Sequence, residues 1–118
     1  MTLSAMGPLS GIRIIEVAAI GPVPYCAMIL ADLGATVIRV DRPENSDLGI
    51  SVPASRALLN RGRPSIIVDL KKPAGAKTVL RLLDGVDGLI EGMRPGVIER
   101  LGLAPSVCLA RNPRLVFG

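Results

Sequence analysis

Residues 11–43 read GIRIIEVAAIGPVPYCAMILADLGATVIRVDRP and hold two short β-branched runs with a helical pattern between them. The runs cover residues 12–17 and 36–40, and each is bounded by Gly or Pro, as a buried strand usually is. Pro24 suits the first position of a helix, and Gly34 suits the left-handed residue just past a helix end. A strand, a helical crossover and a second strand predict a parallel βαβ unit with a right-handed connection.

The helix predicted within this stretch is apolar on every side from Cys26 to Ala31. A helix without a polar face is typical of one that other structure covers. We therefore expect neighbouring elements to bury it.

The remainder of the chain continues the alternation of strands and helices after a polar, irregular connection at 42–62. A helix that begins at Pro73 and ends at Gly85 places Leu80 on its apolar side and Lys77 on its polar side. The whole pattern predicts a doubly wound α/β sheet that forms one small domain. Further strands are predicted at 65–70, 86–91 and 115–117, and further helices at 97–101 and 106–111.

The composition suits a compact domain that binds a small anionic ligand. Of the 118 residues, 49% are hydrophobic, and the formal net charge is +4. Trp is absent, and only one Tyr and one Phe occur, which argues against stacking on exposed nucleic-acid bases. Because the basic residues form no dense run, no nucleic acid partner is predicted.

The use of cysteine and histidine indicates a reducing compartment and a protein without a metal site. Cys26 and Cys108 lie far apart in apolar helical patterns, and we interpret them as structural thiols rather than a disulfide. The chain contains no histidine, the commonest metal ligand. No leader pattern precedes the first strand, and the longest uncharged run, 17–31, is too short for a membrane helix. A cytoplasmic location and no membrane partner are therefore expected.

The loops after the first strands carry weak signals for nucleotide binding, since open parallel sheets bind ligands at the carboxyl ends of their strands. Gly21 stands alone where a dinucleotide fingerprint has three glycines. Asp41 fits a ribose-binding acid and Arg42 an adenosine phosphate contact, but a solvated pair at a strand end fits as well. A nucleotide-dependent enzyme, such as an S-adenosylmethionine methyltransferase, is therefore an alternative. Arg61 and Arg63 suit an anion site and a solvated turn equally.

Four stretches follow one another in order along the chain: GPLSGIRIIEVAAIGPVPYCAMILADLGATVIRVDRP, LLNRGRPSIIVDLKKPAG, VDGLIEGMRPGVIERLGL and NPRLVFG. Together they are similar to the amino-terminal part of α-methylacyl-CoA racemases within the class III CoA-transferase family. The resemblance covers essentially the whole chain. It implies a Rossmann-like domain that binds coenzyme A, as the front part of a larger fold in a protein that forms an interlocked homodimer.

The resemblance also assigns coenzyme A contacts to individual positions. Arg42 matches a basic residue at the adenosine phosphate end, 68–71 match a segment that holds the adenine and ribose, and Arg100 matches a basic residue near the phosphates. Two positions depart from the family, because Val23 replaces a common glycine and Pro64 stands where a second basic residue is usual. The full implied set is Arg42, Val68, Asp69, Leu70, Lys71, Gly92, Met93, Arg94 and Arg100.

The catalytic groups of the family are absent from these residues. The family exchanges the α-proton of a 2-methylacyl-CoA with a His/Asp pair, whose histidine lies in a GHD motif downstream of NPRL and whose aspartate lies further on. Neither position occurs in the 118 residues, so no catalytic residue is assigned and the chain alone is expected to be inactive. The resemblance implies an acyl-CoA racemase of fatty acid metabolism, with an acyl-CoA substrate and no covalently bound cofactor. A class III CoA-transferase and a non-catalytic fragment that binds coenzyme A or a nucleotide are the alternatives.

Overall fold

The structure is a computed structural model that describes residues 7–43 and 58–118. Most of the irregular connection expected at 42–62, namely residues 44–57, lies outside the described residues. The helices and strands, in chain order, are β1 (Arg13–Val17), α1 (Pro22–Asp32), β2 (Thr36–Asp41), β3 (Ser65–Ile67), α2 (Pro73–Leu82), β4 (Gly88–Ile90), α3 (Val97–Arg100), α4 (Pro105–Arg111) and β5 (Val116–Phe117).

The five strands form one sheet in the order β3-β2-β1-β4-β5, and every neighbouring pair is parallel. The central strand β1 pairs with β2 along its whole length, with Arg13 opposite Thr36 and Val17 opposite Val40. This strand order is that of a Rossmann-like fold. The α/β architecture predicted from the sequence is confirmed.

Helices cover both faces of the sheet, as a doubly wound fold requires. Alternate residues of a strand point to opposite faces, so Ile15 and Val17 face one side and Ile14 and Glu16 the other. The larger hydrophobic core lies on the side of Ile15 and includes residues of α2, α3 and α4. The smaller core lies on the side of Ile14 and is completed by α1.

Three strands are shorter than the sequence suggests. The run 65–70 pairs as β3 only to Ile67, since Lys72 N donates to Asp69 O at 3.2 Å and closes a turn there. Likewise β4 covers three residues of the expected 86–91, and β5 covers two of the expected 115–117.

Helix α1 begins two residues earlier than the sequence indicates, at Pro22 rather than Pro24. Both prolines lie in the first helical turn, where a missing N–H removes no helical hydrogen bond. Gly34 follows the helix with φ 106°, which confirms the left-handed residue expected at its end.

The outer side of α1 is exposed, so the described residues do not supply the cover expected for it. Ala27 and Met28 are buried, whereas Tyr25 is 55% and Ile29 39% exposed. Cys26 is exposed as well, so its interpretation as a structural thiol is wrong, while the buried Cys108 fits that interpretation. Burial raises the pKa of the Cys108 thiol.

A bidentate ion pair ties α4 to the turn after α2. Arg111 Nε and Nη2 donate to the two carboxylate oxygens of Asp84 at 2.7 and 2.8 Å. These hydrogen bonds hold the pKa of Asp84 below its ordinary value. Next to this pair, Asn112 Nδ2 donates to Leu83 O and Val86 O at 2.8 and 3.0 Å. The chain is thereby fixed where it leaves α4 and enters β5.

Helix α2 buries a narrower side than the sequence pattern predicts. Ala76 and Val79 of α2 are buried in the larger core, together with Leu83 directly after the helix. Leu80, expected on the same buried side, is only half-buried because it lines a groove between α2 and α3.

Replacing Leu83 by Ala is expected to lower the free energy of unfolding by about 2–5 kcal/mol, because Leu83 is fully buried. Leu80→Ala should cause a smaller loss, and Lys77→Ala, on the exposed side of α2, the smallest. Urea unfolding of the three variants, followed by circular dichroism, measures the order. A loss for Leu80→Ala as large as that for Leu83→Ala would contradict this placement of α2.

Candidate functional site

The residues implied as coenzyme A contacts lie mostly beyond the carboxyl ends of strands. Arg42 follows β2, residues 68–71 follow β3, and residues 92–94 come shortly after β4, whereas Arg100 is the last residue of α3. Because parallel strands end at the same edge of a sheet, the three loops share that edge. The cations of the set are Arg42, Lys71, Arg94 and Arg100, and all are exposed.

The loop after β3 is held in a fixed turn. Val68 N donates to Asp41 O at 2.9 Å, which extends the pairing with β2 by one residue. The Asp69 carboxylate accepts the N–H of Lys71 at 3.1 Å. Gly75, in the first turn of α2, lies so close that a Cβ added there would be 2.0 Å from Asp69 O. The turn therefore brings Lys71 to the start of α2 and requires glycine at position 75.

A groove of about 380 Å³ lies between the start of α2 and the end of α3. It brings together three of the implied residues, Leu70, Lys71 and Arg100. Lys72 and Lys77, which the sequence analysis did not assign, also line it, and none of its described lining residues is acidic. The other lining residues are Pro73, Ala76, Leu80, Leu101 and Gly102.

The loop after β4 forms a second group, which α3 connects to the groove. The Glu91 carboxylate accepts the N–H of Met93 at 2.8 Å, and the Met93 side chain packs against the larger core. Gly92 contacts the start of α1, because a Cβ added to it would lie 2.5 Å from Cγ2 of Val23. Gly92, Met93 and Arg94 therefore neighbour the β1–α1 loop.

The loops after β3 and β4 are separated by two strands of the sheet. Strands β2 and β1 lie between β3 and β4. At the usual spacing of neighbouring strands, the axes of β3 and β4 are about 14 Å apart. Only an elongated molecule can contact the loops after both strands at once.

The carboxylate of Asp41 is held against its own strand. Its Oδ1 accepts the N–H of Arg42 at 2.9 Å, and its Oδ2 lies 3.9 Å from Nε of Arg39. That Nε is buried and has no hydrogen-bond partner among the described residues. The Asp41 side chain is still 41% exposed, so a ligand hydroxyl can reach it.

A fully buried ion pair joins β1 to the segment before β3. Arg63 Nε and Nη2 donate to the carboxylate of Glu16 at 2.7 and 3.3 Å, and both side chains are 0% exposed. The sequence analysis did not assign Glu16, although a glutamate within the apolar run of β1 was a signal for a buried partner. The pair joins the central strand to the segment that precedes β3.

The pairing of Arg63 also corrects the expectations for its loop, which were an anion site or a solvated turn. Arg63 is buried against Glu16, and Arg61 Nη2 donates to Asp32 at 2.7 Å. The hydrogen bond from Arg61 lowers the pKa of Asp32. Arg63 is therefore not available to an anion without breaking a buried ion pair, whereas Arg61 is 55% exposed and fits the solvated turn.

Comparison with known proteins identifies the family. Residues 9–118 match the family described as CoA-transferase family III. The chain belongs to the CoA-transferase family III. It is 45% identical to the α-methylacyl-CoA racemase of Homo sapiens over 109 residues, which make up 92% of this chain and 27% of the human protein.

A second relative within the CoA-transferase family III is a probable fatty acyl-CoA transferase of Mycobacterium tuberculosis, Rv3272. It is 37% identical over 119 residues, covering 93% of this chain and 30% of the mycobacterial protein. Its crystal structure superposes with a TM-score of 0.82 and 35% identity over 94% of this chain and 33% of that chain. The chain therefore spans about a third or less of these relatives, and it matches their amino-terminal part.

At the carboxyl edge of the sheet, the described residues present cations, backbone amides and apolar side chains to a ligand. Within residues 7–43 and 58–118, no group of three or more Cys, Asp or Glu side chains is placed to hold a metal ion. The same residues contain no helix that is long and apolar enough to cross a membrane.

Breaking the buried pair from either side is expected to lower the free energy of unfolding by about 3–5 kcal/mol, because one buried charge then stays unpaired. The single variants are Glu16→Leu and Arg63→Met. The double variant should lose less of the free energy of unfolding than either single variant. Asp32→Asn, which weakens the exposed pair with Arg61, is the control and should lose least. Chemical denaturation of the four proteins tests this, and a double variant with the summed loss of both single variants would contradict it.

Proposed function

We propose that these 118 residues form the coenzyme A binding part of an α-methylacyl-CoA racemase, which exchanges the α-proton of 2-methylacyl-CoA thioesters. The proposal rests first on the groove where Leu70, Lys71 and Arg100 meet without an acidic neighbour among the lining residues. Membership of the CoA-transferase family III and the identity with the human racemase support the acyl-CoA assignment.

The chemistry of the groove suits the nucleotide end of coenzyme A. This end combines a flat adenine ring with a ribose phosphate and a diphosphate. The side chains of Leu80 and Leu101 offer an apolar surface to the ring, while Lys71 and Arg100 offer charge-assisted hydrogen bonds to phosphate oxygens. Arg42, exposed at the end of β2, is proposed to contact the phosphate on the adenosine ribose.

The length of coenzyme A accounts for the separation of the two groups of residues. With its nucleotide at the groove, the uncharged arm would run along the carboxyl edge toward β4. Gly92, Met93 and Arg94 are proposed to contact that arm. A compact nucleotide such as S-adenosylmethionine lacks such an arm, and the methyltransferase alternative explains the family membership less well.

Binding, and no proton-transfer step, is assigned to these residues. The family uses a histidine for proton transfer, and the chain contains none. The homodimer implied by the resemblance and the cytoplasmic location expected from the sequence belong to the same proposal. Both are properties of a full-length protein, and the full-length relatives are about three times as long as this chain or longer.

A class III CoA-transferase is the second candidate. It is favoured by the 37% identity with a probable fatty acyl-CoA transferase. Both activities use an acyl-CoA thioester, so the nucleotide end of the site suits either. The acyl end and the groups that act on it distinguish the two.

Arg42→Ala is expected to weaken coenzyme A binding by about 10- to 100-fold, because a charge-assisted hydrogen bond to the phosphate is lost. Dephospho-coenzyme A, which lacks the phosphate on the adenosine ribose, should bind wild type and variant almost equally. Isothermal titration of both ligands measures the two ratios. Arg13→Ala is a matched control, because Arg13 is an exposed arginine at the opposite end of β1. Equal losses for the two ligands would contradict the assignment of Arg42.

A further inference from the structure

The border between β1 and β4 is the point where the strand order reverses. From β1 the chain crosses by α1 to β2 on one side, and from β3 it crosses by α2 to β4 on the other side. The loops after β1 and β4 therefore diverge toward opposite faces of the sheet. Ligands of open α/β sheets enter the crevice that such diverging loops leave.

Val23 fills part of this crevice. A Cβ added to Gly92 would lie 2.5 Å from Cγ2 of Val23 and 3.5 Å from Cβ of Ala19. The valine methyl group therefore lies directly against the backbone of Gly92 and joins the two loops. Because a β-branched side chain in a helix has one strongly preferred rotamer, Val23 cannot easily turn aside.

The crevice is unsuited to a diphosphate. Pro22 and Pro24 remove two of the N–H groups that the start of α1 would otherwise offer to an anion. On the other wall, Glu91 adds a carboxylate that accepts the N–H of Met93. The groove is lined by four cations, Lys71, Lys72, Lys77 and Arg100, whereas the loop after β4 supplies only Arg94. An uncharged part of the ligand fits this crevice better than a charged part.

We propose that Val23 determines specificity for the width of the acyl group. The inference rests on the proposed function, in which the phosphates lie at the groove and the uncharged arm runs toward β4. The arm ends in the thioester, and its acyl group is the part that differs between acyl-CoA molecules. The methyl group of Val23 narrows the crevice at this end, so that a slim acyl chain enters and an acyl group of the same size but greater width is rejected.

The test compares two isomeric ligands, pentanoyl-CoA and 2,2-dimethylpropanoyl-CoA, which differ in width but not in atom count. Wild type is expected to bind the straight isomer about 10-fold or more tightly, the usual discrimination by a tight apolar pocket. Val23→Gly should bring the ratio of dissociation constants close to one, and Val23→Ala should give an intermediate ratio. Val23→Ala retains a good helix former in α1, so it carries the test if Val23→Gly does not fold.

Ile20→Ala is the matched control, because Ile20 is a 60% exposed apolar residue of the same loop, and the atoms nearest to a Cβ at Gly92 belong to Val23 and Ala19. Its ratio should equal that of wild type. Failure of wild type to bind either thioester overturns the proposed function and this inference with it. Binding of both thioesters, with a ratio near one in wild type or a ratio unchanged in the Val23 variants, overturns the inference alone.

Discussion

The carboxylate of Glu16 lies at the centre of the sheet, and its only charge partner among the described residues is Arg63, which donates to it at 2.7 Å. An unpaired charge at this position would destabilise the fold by several kcal/mol, so the segment before β3 must return to β1. Strand β3 itself pairs with β2 over only three residues. The ion pair therefore helps to determine where β3 begins, and through β3 it determines where Lys71 stands at the groove.

The sequence predicted the order of elements because β-branched runs, helix-starting prolines and helix-ending glycines are local signals. It did not predict the Glu16–Arg63 pair, because the partners are 47 residues apart and no local pattern joins them. It also placed Leu80 in the core, since a period of 3.6 residues gives the side of a helix but not the distance to the next element. Cys26 was expected to be a buried thiol for a similar reason, because the sequence of an apolar helix does not show which of its sides the sheet covers.

For the candidate site too, the sequence predicted some features and missed others. That the implied residues lie along one edge followed from the direction of parallel strands. Their separation into a groove beside α2 and a crevice beside α1 depends on where α3 packs, which no motif indicates. The sequence placed Lys77 on the polar side of α2 but did not indicate that it lines the groove. The sequence also showed Val23 in place of a common family glycine, but not its contact with Gly92.

Coenzyme A is proposed to lie along the carboxyl edge of the sheet, from the groove to the loop after β4. Backbone amide chemical shifts of the isotopically labelled chain, recorded during titration with coenzyme A, test it most directly. We expect the largest shift changes at 42, 68–72, 92–94 and 100–102, with little change at the amino ends of the strands. Largest changes at the amino ends or along α4, or no changes at millimolar ligand, would contradict it.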